Sequence, residues 1–486
     1  MSRNMNVVLV SLGLILGTAG CNDFLTGNKL SSNPNQPSQA SISQLFVAVQ
    51  AGQFGLQEGT VPMMMCMWVQ ACGGTNARFV EQAGRYVFGE SSNIGANGGD
   101  WALVYDAGGL VDVRQVEADA AGSGDSTWLG IAKVWEALTI GTASDMWGAV
   151  PFTELTTSST PALDTRFTVL DSAQNLLTEA IAELTNGAGD GPGAVDLVFG
   201  GDRTSWIKAA WTLKARYLMH TAESLGTPAY TAAIAAALQG INDPTGAGDL
   251  AGFHSGGGAG ERNMWAAFQS SSSFGQDLVA GKALVDIMNA RSDPRLPAYF
   301  CLNTAGAYAG QDFDTPIADA SAFGCKPLRF TDTYRMPYVS YAENELILAE
   351  AYNQTGDDAS ALTHLNNERA YANATYPPTA GPPATVALPA LAGITGAALL
   401  DSIMTEKYVA MFQNIETIND YRRTCIPALT VVTNSQGFSN VPGRLFYPQI
   451  ERNVNPNVPD PSVQLGPPSV FRNQGDVHAC TVDGSP

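Results

Sequence analysis

The sequence predicts a mainly α-helical protein built from paired helices and interrupted by long loop-rich insertions. Three observations carry that prediction. Apolar and aromatic residues recur at three- and four-residue steps over several long windows, the spacing that lines one face of an α-helix. Two such windows are joined by a turn with the residues that stop one helix and start the next. Between the windows lie Gly- and Pro-rich stretches too long to be simple connections: Gly240 to Gly260, Thr375 to Gly393 and Val441 to Cys480.

The chain opens with Arg3, then an apolar run from Val7 to Leu16, then Gly17-Thr18-Ala19-Gly20 directly before Cys21. This reads as a secretory leader over residues 1–20, since the run is shorter than the roughly 20 residues a membrane-spanning helix needs. Residues 21–41 are polar and turn-rich, with NKLSSNPNQPSQAS inside them, and read as a flexible tether. The remaining residues, 42–486, are expected to form a single domain. Within it, Trp128, Ile131, Trp135, Leu138 and Thr142 mark a helix from about Trp128 to Asp145. Leu170, Ala173, Leu177, Ile181 and Leu184 mark the next, and Trp206, Ala210, Leu213, Tyr217 and His220 a third. The linked pair runs from Val339 to Asn353 and from Asp358 to Ala370, with Gly356 placed to cap one helix and Asp357 to start the other. That is a tetratricopeptide-like hairpin; because no strict repeat of about 34 residues is present, the repeats are degenerate.

Composition excludes partners. Of 486 residues 14% are charged, yet 45 acids face 25 bases for a formal net charge of -20, which argues against nucleic acid. The surface is expected to be neutral and polar, suited to uncharged polar ligands. Besides Cys21, six cysteines remain in an exported chain and point to disulfides. Closeness in sequence pairs Cys66 with Cys72 and Cys301 with Cys325, which leaves Cys425 for Cys480. No cysteine pair has CxxC spacing and no histidines lie three to five residues apart, so no metal site is expected. Gly275 to Lys282 has the wrong spacing for a phosphate loop, with Ala283 where a magnesium-binding hydroxyl would stand. His254-Ser255-Gly256-Gly257 lacks the order of a nucleophile elbow. The sequence predicts no cofactor and no catalysis.

The string KVWEALTIGTASDMWGAVPFTE, Lys133 to Glu154, resembles the SusD/RagB-like outer-membrane nutrient-binding lipoproteins, through Trp135, Asp145, Trp147, Gly148, Val150, Pro151, Phe152 and Glu154. Five further stretches agree in order: Asp196 to Arg216, Asp286 to Leu296, Tyr341 to Tyr352, Glu406 to Pro427 and Gly443 to Asn455. Ala19-Gly20-Cys21 resembles the lipobox, with Thr18 where Leu is usual, which makes Cys21 the lipidation site. The resemblance implies a SusD-like fold with four degenerate tetratricopeptide-like hairpins, lipid-anchored in the bacterial outer membrane and exposed at the cell surface. It implies a partner, a TonB-dependent transporter of the SusC-like barrel type, to which captured oligosaccharide is delivered with no bond made or broken. Capture of peptides or other nutrients by the same fold, and a structural or adhesive surface role, are the alternatives.

Sugars are held by stacking on aromatic rings with polar side chains around the edge, so aromatics in polar loops are the candidates. Two segments qualify, Trp68 to Tyr86 and Gly252 to Gln276. From these come the expected ligand residues Trp68, Asn76, Arg78, Asn263, Trp265 and Phe274, with Phe79, His254, Arg262 and Phe268 beside them. The motif residues Trp135, Trp147, Trp206 and Trp211 are expected in the core, and Asp145, Asp202, Asp293 and Arg422 in buried pairs and caps.

Overall fold

The structure is a computed structural model that describes residues 40–92, 99–273, 275–326, 328–438, 440–464 and 480. The expected leader at 1–20, Cys21 and the expected tether up to residue 39 lie outside the described residues, as does Phe274. Among the described residues no helix is long and apolar enough to cross a membrane.

The chain is mainly helical. Helix α1, Ile42–Glu58, starts where Ser41 and Gln44 form a capping box, and Gly59 separates it from α2, Thr60–Trp68. The strand β1, Cys72–Gly74, and a π-helical turn, Arg78–Gly84, follow. Then comes the stack of long helices: α3 Gly99–Tyr105, α4 Leu110–Ser123, α5 Ser126–Trp147, α6 Arg166–Asn186, α7 Arg203–Leu225 and α8 Thr227–Ala237. Consecutive members pack on one another, and α5 against α6 is the most extensive of these contacts. Gly130 makes that approach possible, because a Cβ there would lie 2.6 Å from the Leu184 side chain and 2.9 Å from the Ala180 carbonyl oxygen.

The loop-rich part inserts next. It holds β2 Leu250–Ala251, α9 Met264–Gln269, β3 Leu278–Ala280, α10 Lys282–Ala290, α11 Leu296–Tyr299 and β4 Pro337–Val339. Strand β1 pairs antiparallel with β3, which stitches the insertion back to the N-terminal part, while β2 pairs with β4 within the insertion itself. The stack resumes with α12 Tyr341–Gln354, α13 Asp358–Thr375 and α14 Gly396–Ala410, where α12 packs on α8. Helices α15 Glu416–Thr424, α16 Gln449–Val454 and α17 Pro461–Gln464 close the chain.

The helices expected from periodicity are present with shifted ends. The one expected from Trp128 begins at Ser126, because the Asp125 side chain accepts from the Trp128 N–H. Val339 is not helical: it belongs to β4, and α12 starts after Ser340, whose hydroxyl accepts from Glu343 N–H. The loop at 375–393 is clasped along α13. Asn366 exchanges hydrogen bonds with the Leu391 backbone, Asn373 does the same with Leu388, and Arg369 donates to the Pro389 carbonyl.

Of the charged motif residues, Asp145, Asp293 and Arg422 are buried and paired as expected, whereas Asp202 and Glu154 are exposed. At the end of α5, Asp145 accepts from Arg166 at 2.8 Å, while His220 of α7 lies between Asp145 at 3.1 Å and Glu416 at 2.8 Å. Arg422 donates to the Asp145 carbonyl, and Arg216 makes a bidentate pair with Glu343. A second cluster joins Asp293, Arg295, Arg291, Arg369 and Glu406, and a third joins Arg423 to Glu350 and Asp420, with Lys407 on Asp420. Asp202 caps α7 through Ser205 N–H. Trp135, Trp147 and Trp206 are fully buried, but Trp211 is only half-buried and carries the Lys214 ammonium 5.9 Å from its ring centre. After Trp147, Gly148 takes a φ of 88°, a left-handed turn that brings Val150 against Asp164. The three disulfides are present as expected, Cys66–Cys72, Cys301–Cys325 and Cys425–Cys480.

Candidate functional site

Where α1 and α2 meet the inserted loops, the chain encloses a cavity of about 810 Å³. Helix α1 contributes Val47, Ala51, Phe54 and Gly55, a single helical face at steps of four, three and one, and α2 adds Thr60 and Met63. The π-helical turn supplies Arg78 and Phe79, the 253–262 loop Phe253, His254, Ser255, Glu261 and Arg262, and α9 Met264, Ala267 and Phe268. Leu197 completes the wall; it is held against α1 because the Gln50 side chain accepts from Leu197 N–H and donates to the Val195 carbonyl.

The two segments expected to bind ligand therefore border one cavity, across which Phe79 and Phe268 meet edge to face at 5.7 Å. The individual residues divide. Arg78 is in the wall, 4.8 Å over the Phe79 ring and 3.8 Å from Asp277. Asn76 opens the π-helical turn by accepting from Phe79 N–H. Trp68 and Trp265 are fully buried instead: Trp68 packs on Phe88 at 5.0 Å, and Trp265 sits among Phe323, Phe330 and Phe412. Their rings are spent on the core, which is where a side chain of that apolar area is most stable. Asn263 is buried as the N-cap of α9, its Oδ1 accepting from Trp265 and Ala266 N–H.

Behind the wall a polar cluster fixes the loop. The Glu58 carboxylate, fully buried at the end of α1, accepts from His254 Nε2 at 3.0 Å, Asn263 Nδ2 at 2.9 Å and the Tyr338 hydroxyl at 2.6 Å. Burial, and then the charge of Glu58, hold the Tyr338 hydroxyl well above its ordinary pKa, so it remains a donor. At the rim, Arg262 pairs with Asp332 at 2.6 Å, and Ser255 donates to Glu261. With Ser255 committed to Glu261 and His254 to Glu58, the two adjacent residues do not form a nucleophile–base pair.

The Asp145, His220 and Glu416 atoms could surround an ion. Burial pulls the His220 pKa down, but the two carboxylates more than reverse this and leave it raised. With Arg166 and Arg216 also beside these acids, the charge is matched without a metal, and the trio is an ion-pair hub.

A stack of paired helices with long loop insertions that border a cavity is the architecture of the SusD-like class. The chain belongs to the SusD-like family described as starch-binding associating with outer membrane, which it matches over residues 34–448. Similar solved structures include a SusD-like protein from Bacteroides thetaiotaomicron, 20% identical, with 92% of this chain and 100% of that chain covered and a TM-score of 0.68. A chitin-binding SusD homolog from Flavobacterium johnsoniae is 20% identical over 90% of this chain and 99% of that one, with a TM-score of 0.71. A SusD homolog from Bacteroides uniformis is 17% identical over 90% and 98%, with a TM-score of 0.68. Among curated proteins none matches this chain.

The lining residues on α1 and α2 were missed in the sequence, although the spacing of Val47, Ala51, Phe54 and Gly55 carries the signal of one helical face. Phe253 lies within the expected segment, and its exposure at 43% marks it as a lip residue.

Proposed function

We propose that this protein captures oligosaccharides at the bacterial surface, anchored by a lipid on Cys21, and hands them to a TonB-dependent barrel without chemical change. The observation that supports this reading is the cavity itself. It places the aromatic rings of Phe79, Phe253 and Phe268 beside Arg78 and Arg262, on a scaffold shared with a protein described as chitin-binding. Aromatic contacts contribute on the order of 0.5–1.5 kcal/mol each beyond their area, so loss of one ring is measurable.

The test is an affinity-gel and glycan-array screen of the purified chain, with a peptide pool in parallel and with Phe79→Ala and Phe253→Ala. Retention of a sugar, weakened about tenfold or more in either variant, is the expected result. Retention of peptides alone would move the reading to peptide capture, and silence toward both would favour an adhesive role.

A further inference from the structure

The geometry points to a more specific cargo: an aryl or medium-length alkyl group, carried on a sugar or free, seated in the cavity with its terminal oxygen against His254. This rests on the reading of the cavity as the cargo site. A bare sugar carries a hydroxyl on nearly every ring carbon, and enclosing one takes a ring of donors and acceptors around its edge. The wall does not provide that ring. Ten of its nineteen residues are apolar and three more are glycine, and no Trp, Tyr, Asn or Gln is among them.

Four of the six polar side chains that line it face polar or charged neighbours, although the Arg262 Nε has no partner among the described residues, and Thr60 adds a single hydroxyl. Arg78 faces Asp277, Arg262 bonds both Asp332 and Ser270, and Ser255 and Glu261 bond each other. His254 is different. Glu58 already accepts from Asn263 and Tyr338 and is an acceptor for the Nε2 proton too, which leaves Nδ1 as the remaining hydrogen-bonding atom of the ring. That atom is left to meet one polar group at the end of an otherwise apolar body.

The mouth has the same character as the interior. Val47, Phe253 and Met264 stand 44%, 43% and 38% exposed around it, an apolar lip of the kind that marks a binding surface. A hydrocarbon body entering there is desolvated along its length, while a sugar that carries it stays at the mouth, where water still reaches its hydroxyls.

Equilibrium dialysis of the purified full chain tests this with 4-nitrophenyl glucoside, methyl glucoside, a glucose oligomer and 4-nitrophenol. Two variants accompany it: Ala267→Trp, which puts a bulky ring into the cavity, and Phe253→Ser at the exposed lip, with thermal melting as the control for folding. The expected result is binding of the aryl glucoside at least tenfold tighter than of methyl glucoside or the oligomer, lost in Ala267→Trp and weakened in Phe253→Ser. Equal binding of 4-nitrophenol alone supports the same chemistry with a free small molecule as its source. Equal binding of the unsubstituted sugars, lost in Ala267→Trp, overturns the apolar inference and leaves sugar capture at this cavity standing. Sugar binding that survives Ala267→Trp in a folded protein overturns the cavity as cargo site, and with it both readings. No binding of either aryl probe overturns the inference.

Discussion

His254 Nε2 lies 3.0 Å from the carboxylate of Glu58, a residue 196 positions away, and this contact fixes a cavity-wall side chain to the buried end of α1. Tyr338 completes the same carboxylate from β4. Tyr338→Phe removes one donor while keeping the ring, so a buried charge loses a hydrogen bond. The expected cost is about 1–3 kcal/mol in urea unfolding, and a fall in ligand affinity should accompany it because the 253–262 loop is less firmly held.

Asp145→Asn should be more damaging, since it leaves Arg166 and His220 beside a neutral amide in a fully buried site. Removing one partner of a buried pair costs roughly 3–5 kcal/mol. His220 adds a pH signature. Its folded pKa is raised, so its stabilising contribution is full below the ordinary value of 6.5 and declines as pH rises through the elevated folded value. The melting-temperature gap between the wild type and His220→Gln is therefore expected to be wider at pH 6 than at pH 9. A gap that does not change would show that the ring is not an imidazolium.

Glu117 of α4 offers the opposite sign. Burial, and next the charge of Glu136, push its carboxyl up to about 9. The unfolded chain ionises near 4.5 while the folded one keeps its proton, so this residue costs stability increasingly between those two values. Glu117→Gln is expected to stabilise the protein by roughly 1–3 kcal/mol at pH 7 and to change little at pH 4, as read by denaturant titration at both.

The disulfide between Cys301 and Cys325 closes a loop of sequence separation 24 in the inserted part. Chain-entropy arguments assign such a closure about 3 kcal/mol. The double variant Cys301→Ser with Cys325→Ser should unfold earlier in urea by that amount. The helical stack lies outside this loop, so far-ultraviolet circular dichroism in water should be preserved.

For the proposed anchor, Cys21→Ala is expected to move the protein from the membrane fraction to the soluble fraction after cell lysis. Continued sedimentation with membranes would count against lipidation at that cysteine.

The long helices were legible because each repeats its apolar residues over four or more turns, enough to set the phase of the buried face. Leu170, Ala173, Leu177 and Leu184 are all buried on α6, as their spacing requires. The disulfide partners were legible for a different reason, since two short separations, 6 and 24, left only Cys425 and Cys480 to pair across 55. Helix α9 shows where this stops. It spans only Met264–Gln269, and Trp265 and Phe268 stand three residues apart with opposite fates, one in the core and one on the cavity. A run that short does not fix which face turns inward. Glu58 gave no local signal at all, because its partners His254, Asn263 and Tyr338 come from remote segments. The motif acids Asp145 and Asp293 were readable as paired, but Arg216 and Glu343 meet across 127 residues and only the fold reveals them as partners.

The cavity joins a floor from α1 and α2 to a wall from the 253–268 region, and the stack from α3 to α8 lies between them in sequence. Bringing such distant stretches together carries a loop-closure cost that local helix pairing does not. The helical hairpins can therefore assemble as the chain emerges, while the cavity waits for the second half to arrive. A chain interrupted before Gly252 would hold much of the scaffold yet lack this wall, so ligand retention reports completed maturation in a way that helix content does not.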